Sequence, residues 1–172
     1  MRIVKIAGAV LAVIVALVVI GPAFVGDSFA VEKSIVVEAS ASEVYDLIAE
    51  LRAWEKWNYW ANNDDTMKLE YGEVTSGPGA SYTWAGADGA GTATILAAEQ
   101  NKSVDLTLDF GERGQGNVAW SLAEADGKTE VTWVFSGDAQ SYLGRWFNVM
   151  IGPMMQTPMT ESLAKIKEMA EA

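Results

Sequence analysis

The stretch IVVEASASEVYDLIAELRAWEKWN, residues 35–58, decides the fold. Ile35, Val36 and Val37 are β-branched, and their stiff side chains suit a pleated strand. The small residues Ala39-Ser40-Ala41-Ser42 make a turn. Beyond it Val44, Tyr45, Leu47, Ile48 and Leu51 recur at the spacing of one helix face. This pattern predicts a strand over 31–38 and a helix over 42–51 with Ser42 as N-cap. Tyr45 rather than Glu stands three residues after Ser42, so no full capping box is expected. Trp54, Trp57 and Trp60 crowd the helix exit.

Working outward, residues 67–71 alternate apolar and charged side chains, as a half-solvated strand does. Further strands are predicted over 80–86, 89–98, 103–110, 115–124 and around 131–136, separated by Gly- and Asp-rich turns. Val104, Leu106, Leu108 and Phe110 share one face, as do Val118, Trp120 and Leu122, and Val131, Trp133 and Phe135. Such one-sided alternation belongs to an antiparallel sheet with a single buried face. From about residue 142 the period becomes helical. Trp146, Phe147, Met150, Met154 and Met155 share one broad face, continued by Leu163, Ile166 and Met169. Pro153 and Pro158 interrupt that stretch and predict a kink or a break.

The order strand, short helices, six strands, long helix resembles the START-like, Bet v 1-type superfamily. Its bacterial members are described as polyketide cyclase/dehydrase and lipid-transport proteins. The resemblance spans residues 31–170 and rests on Trp54-Glu55-Lys56-Trp57-Asn58, Gly77-Pro78-Gly79-Ala80, Val131-Thr132-Trp133 and the closing Glu161-Ser162-Leu163-Ala164-Lys165-Ile166-Lys167. It implies an α+β helix-grip fold: a curved antiparallel sheet of six to seven strands wrapped on a long C-terminal helix. It also implies an apolar pocket between the two. Its lining would be Tyr82, Trp84, Leu106, Leu108, Phe110, Trp120, Trp133 and Phe135 from the strands, with Trp146 and Met150 from the helix. Read as residues alone, the same side chains serve equally as plain core. Trp54, Trp57, Tyr59 and Trp60 pose a parallel choice between an apolar lip and local packing, and local packing is preferred for most of them.

Composition narrows the chemistry. The 172 residues contain neither cysteine nor histidine. Disulfides, thiol nucleophiles, cysteine-ligated metals, Ser-His-Asp hydrolysis and ordinary zinc hydrolysis are thereby excluded. The net charge of −11 argues against nucleic acid as a partner and against electrostatic docking on anionic lipid. Asp64-Asp65 reads as a solvated turn and Glu112-Arg113 as a hairpin tip; Asp105 and Asp109 fall on an outward face. Arg145 would orient a polar ligand head or extend to water. No catalytic residue, metal ligand or cofactor is assigned.

Residues 3–20 are apolar apart from Lys5. Eighteen helical residues span about 27 Å, close to the roughly 30 Å of bilayer hydrocarbon. Arg2 and Lys5 in front, with Asp27 and Glu32 behind, put the N-terminus in the cytoplasm and the domain on the extracytoplasmic side. A cleaved signal peptide is the competing reading, with Ser28-Phe29-Ala30 as its site. The expected organisation is an anchor at 1–22, a linker at 23–30 and one domain at 31–172. The function that fits best is a monomeric, membrane-tethered binding domain for a lipid or other hydrophobic small molecule. A polyketide cyclase/dehydratase-like enzyme and a protein-interaction module of the chaperone-activator type stay open.

Overall fold

The computed structural model describes residues 2–172, with side chains from residue 5 onward. Helix α1 (Arg2–Ile20) runs into a 3-10 turn at Gly21–Phe24, where Pro22 sits at the first turn and lacks no needed donor. Seven strands follow in one antiparallel sheet: β1 (Ser28–Val37), β2 (Lys68–Tyr71), β3 (Ser81–Gly86), β4 (Gly89–Glu99), β5 (Ser103–Asp109), β6 (Gln115–Ala125) and β7 (Lys128–Asp138). Their order is β1-β7-β6-β5-β4-β3-β2. The last six form a meander, and β1 pairs with the edge of β7 that the meander leaves free. The β6–β7 turn is made by Asp126 and Gly127, both at positive φ, as a tight hairpin of right-twisted strands requires. A register shift between Ile95 and Ala97 bulges β4 and turns Leu96 outward.

Between β1 and β2 lie α2 (Ala41–Ala49), α3 (Trp54–Trp57) and α4 (Tyr59–Asn63). Ser40, not Ser42, caps α2. Its hydroxyl accepts from the Glu43 amide at 3.4 Å, and the Glu43 carboxylate accepts from the Ser40 amide at 2.9 Å, completing a capping box. The Ala-Ser-Ala-Ser turn offers two caps, and Glu43 stands three residues after only the first. The tryptophans that follow close the other end of α2. Trp54 Nε1 donates to the Ile48 carbonyl at 2.8 Å and Trp57 Nε1 to the Leu47 carbonyl at 2.9 Å. These carbonyls belong to the last turn of α2, which has no donor of its own to offer them. The crowding of indoles after that helix is thus a structural cap.

Helix α5 (Arg145–Ala170) packs against β1, α2, α3 and α4, and its buried side chains join those of the concave face in one core. It continues through Pro153 and Pro158 without a break, so the carbonyls of Val149 and Met154 receive no amide from the next turn. Its buried stripe is Ile151, Met155, Pro158, Met159, Ser162, Leu163 and Ile166. Met154, grouped with Met155 by helical proximity, is exposed. Strand β1 begins at Ser28, inside the expected linker, because residues 28–30 pair with Asp138, Gly137 and Ser136.

Candidate functional site: the aromatic wall of the cup

Alternation along each strand puts every second side chain on the concave face, and the register aligns them in rows. Trp120 and Trp133 are direct partners across β6 and β7, with rings stacked 4.6 Å apart at 23°. Trp57 meets Trp120 edge-on at 5.7 Å, and Trp54 does so at 6.4 Å. All four are buried, Trp120 to 1% exposure, in one core with Leu106, Phe135, Met159, Leu163 and Ile166. One end of the cup is therefore packed with side chains.

The other end is only partly covered. Tyr82, Trp84, Leu108 and Phe110 are half-buried on the same concave surface. Their rings run in sequence: Trp54 to Tyr82 at 6.1 Å, Tyr82 to Trp84 at 6.0 Å, Trp84 to Phe110 at 5.5 Å. Two glycines let rings lie flat on the sheet. A Cβ at Gly91 would meet the Trp84 ring at 2.3 Å, and one at Gly116 would meet the Phe135 ring at 2.5 Å. The eight strand residues expected to line a pocket thus form one apolar surface with a closed part (Leu106, Trp120, Trp133, Phe135) and a half-open part (Tyr82, Trp84, Leu108, Phe110).

Trp146 and Met150 lie elsewhere. They sit on the first turns of α5, 37% and 58% exposed, and line a cleft with Ile14, Leu17 and Val18 of α1. In the first turn of α5 it is Phe147 that reaches toward the wall: its ring meets Phe29 at 6.1 Å, and Phe29 meets Phe135 at 5.3 Å. Phe29, Trp54, Trp57 and Tyr71 join the wall without having been expected there. Tyr71 packs on Tyr82 at 5.9 Å, and its strand alternation could have placed it. Phe29 carries no such signal, because the sequence pattern starts the strand at Val31. Tyr59 and Trp60 are half-buried and pack edge-on against each other.

The polar chemistry of the wall is sparse. Thr129 and Ser162 are the buried polar residues among those described, and both are committed: Thr129 donates to the Ala39 carbonyl at 2.8 Å, and Ser162 accepts from the Tyr59 amide at 2.9 Å. The indole N–H groups of Trp120 and Trp133 are buried without a hydrogen-bond partner. Burial raises the pKa of the Tyr82 hydroxyl above its ordinary value, keeping it neutral. Arg145 is turned away, donating to the carbonyls of Pro22 and Val25. Asp64 organises its own turn, accepting from Thr66 and from the Ala87 amide. Asp109 accepts from the Gly111 amide and from Gln115. Among the described residues, no three carboxylates come together as a metal site. The half-open part of the wall presents large flat apolar area and a neutral phenol, and the two unpartnered indole N–H groups are sealed in the closed part.

Comparison with solved structures recovers the same architecture. The Aha1 dimer from Colwellia psychrerythraea is similar at TM-score 0.57 and 15% identity, over 83% of this chain and 96% of that one. A protein of unknown function from Staphylococcus aureus gives TM-score 0.62 and 13% identity, over 84% and 96%. Ara h 8.0201 gives 0.59 and 14%, over 82% and 96%. At these identities the likeness is one of fold, a Bet v 1-like helix-grip. No curated protein matches the chain. Residues 28–171, from the first residue of β1 to the residue after α5, match the family described as polyketide cyclase/dehydrase and lipid transport, and the chain belongs to it.

Proposed function

We propose that the domain takes up a lipid or another apolar small molecule at the half-open end of the cup, against Tyr82, Trp84, Leu108 and Phe110, and that α1 keeps it at a membrane. The observation that carries the reading is the incomplete cover on that part of the wall. Four large apolar side chains sit on the concave face and still reach solvent, whereas the rest of the row is closed. Leaving them half wet forgoes part of roughly 1.5–3 kcal/mol per side chain that full burial contributes, and an apolar guest recovers it. Family membership and the helix-grip fold support the same class of ligand.

For the anchor, residues 5–24 contain a stretch long and apolar enough to cross a membrane, and almost none of it is buried against the domain. Cleavage after Ala30 would cut within β1, where residues 28–30 are paired. This favours a retained anchor over a signal peptide. Arg2 and Lys5 then orient the N-terminus to the cytoplasm and the domain to the other side.

Organic extraction of the full chain purified from membranes, followed by mass spectrometry, tests the binding claim. The expected result is an apolar compound near one per chain, missing from a Leu108→Trp preparation that retains its fold. Extracts with no such compound, or with equal amounts from both proteins, would contradict it.

A further inference from the structure

The start of α5 has almost no polar face. In residues 145–155, RWFNVMIGPMM, Arg145 and Asn148 are the polar side chains. Both are committed to the segment leading out of α1. Arg145 donates to the carbonyls of Pro22 and Val25 at 3.4 Å each, and Asn148 Nδ2 donates to the Gly26 carbonyl at 2.8 Å. One stripe, Ile151 and Met155, is buried in the domain. The adjacent stripe, Trp146, Val149, Met150 and Met154, is exposed, Met154 to 54%. A helix apolar on all sides calls for apolar surroundings on all sides. The domain supplies them on one.

Helix α1 fixes where the rest lies. The Tyr142 hydroxyl donates to the Val19 carbonyl at 2.8 Å, and Trp146 Nε1 donates to the Val18 carbonyl at 3.2 Å. These are free carbonyls of the last turn of α1. The Trp146 ring also lies so close to Gly21 that a Cβ there would meet it at 2.3 Å. Trp146, Val149 and Met150 face Ile14, Leu17 and Val18 across an apolar cleft of about 460 Å³. Ile14 lies about 9 Å from Ile20 along the helix axis, at 1.5 Å per residue. That depth falls within the roughly 5–10 Å to which interfacial helices sink into a bilayer.

Resting on the reading of α1 as a membrane anchor, we infer that the beginning of α5 is a second membrane element. Leu143, Trp146, Phe147, Val149, Met150 and Met154 lie in the leaflet where α1 ends, and a lipid acyl chain occupies the α1–α5 cleft. Adhesion is apolar, since a chain of net charge −11 gains nothing from anionic headgroups. Tyr142 and Trp146, bonded to the end of α1, stand at the depth where such amphipathic rings concentrate. Phe147 touches Phe29 and Phe29 touches Phe135, so apolar contact runs from the bilayer to the inner wall of the cup.

The chain has no cysteine, so single probes can be placed in the full-length protein. Val10→Cys in α1, Met150→Cys in α5 and Glu112→Cys in the β5–β6 loop are each labelled with a polarity-sensitive NBD fluorophore. Each is reconstituted in phosphatidylcholine vesicles with or without nitroxide on the acyl chains. The Val10 and Met150 probes are expected to emit to the blue of the Glu112 probe and to be quenched about twofold or more by nitroxide, as immersion requires. A quenched Val10 probe beside a Met150 probe as polar as that at Glu112 overturns the docking and leaves the anchor standing. An unquenched Val10 probe overturns the anchor, and the docking with it. A Met150 probe that is blue-shifted but unquenched shows that protein rather than lipid covers the face, which also overturns the inference.

Discussion

Trp120 and Trp133 stand opposite each other on β6 and β7 with their rings stacked 4.6 Å apart. The edges of Trp54 and Trp57 close on Trp120, so four indoles form a plug at the closed end of the cup. Trp54 and Trp57 also cap α2, which couples the plug to the helical connection between β1 and β2.

Truncating the centre of that plug removes packing that nothing nearby replaces. Trp120→Ala is expected to lower unfolding stability by about 3–5 kcal/mol, the range for buried Trp or Phe truncation. Trp120→Phe should lose distinctly less. Urea unfolding of the full chain in detergent checks both, and a loss below about 1 kcal/mol for Trp120→Ala would mean that the site is not close-packed.

Pro153 is exposed and sits inside α5, where it withholds a donor from the Val149 carbonyl. Pro153→Ala removes little buried contact, restores one helical hydrogen bond and relieves a steric clash. It should therefore stabilise the protein, by up to about 3 kcal/mol on the propensity scale. A raised thermal midpoint is the expected readout. An unchanged or lowered one would indicate that the proline is needed to shape the start of the helix.

Stability should respond to pH at its extremes. With no histidine, the curve is expected to be flat from about pH 5 to about pH 8. The Thr66 hydroxyl, then the Ala87 and Thr66 amides, hold the Asp64 carboxyl below its ordinary value. Its contribution is therefore present above the unfolded pKa and lost as pH falls through the folded one. Asp64→Asn should flatten that acid limb. Burial raises Tyr82, so its contribution is present below the unfolded value of 10.0 and lost as pH rises through the folded one. Tyr82→Phe should weaken the alkaline loss. Chemical denaturation across pH, compared between variants, measures both.

How far the sequence carried the fold follows from what each signal encodes. Period-two alternation put Val104, Leu106, Leu108, Val118, Trp120, Val131, Trp133 and Phe135 on the concave face, because in a strand orientation follows directly from position. Helix α5 was less legible. Its beginning is apolar on two adjacent stripes, and spacing alone cannot say which one meets the sheet. Ile151 and Met155 take that place, while Trp146 and Met150 turn to α1. Phe29 was hidden because the pairing that extends β1 back to Ser28 is set by β7, far along the chain.

The α2 cap shows the same limit at one residue. Ser40 and Ser42 both precede the helix, and the choice falls to Ser40 because Glu43 can return a bond to its amide. Ser40→Ala is expected to cost about 1 kcal/mol, while Ser42→Ala should change stability by a few tenths or less. Equal losses from the two variants, measured by urea unfolding, would count against the assigned cap.

The claim that the half-open wall holds an apolar guest is tested most directly by covalent capture. A fatty acid bearing a diazirine is added to the full chain in phosphatidylcholine vesicles and photolysed, and labelled peptides are mapped by mass spectrometry. Saturable labelling of β3 and β5, at or beside Tyr82, Trp84, Leu108 and Phe110, is the predicted result, and Leu108→Trp should abolish it. Labelling confined to α1 and the first turns of α5, or β3 and β5 labelling that never saturates, would contradict it.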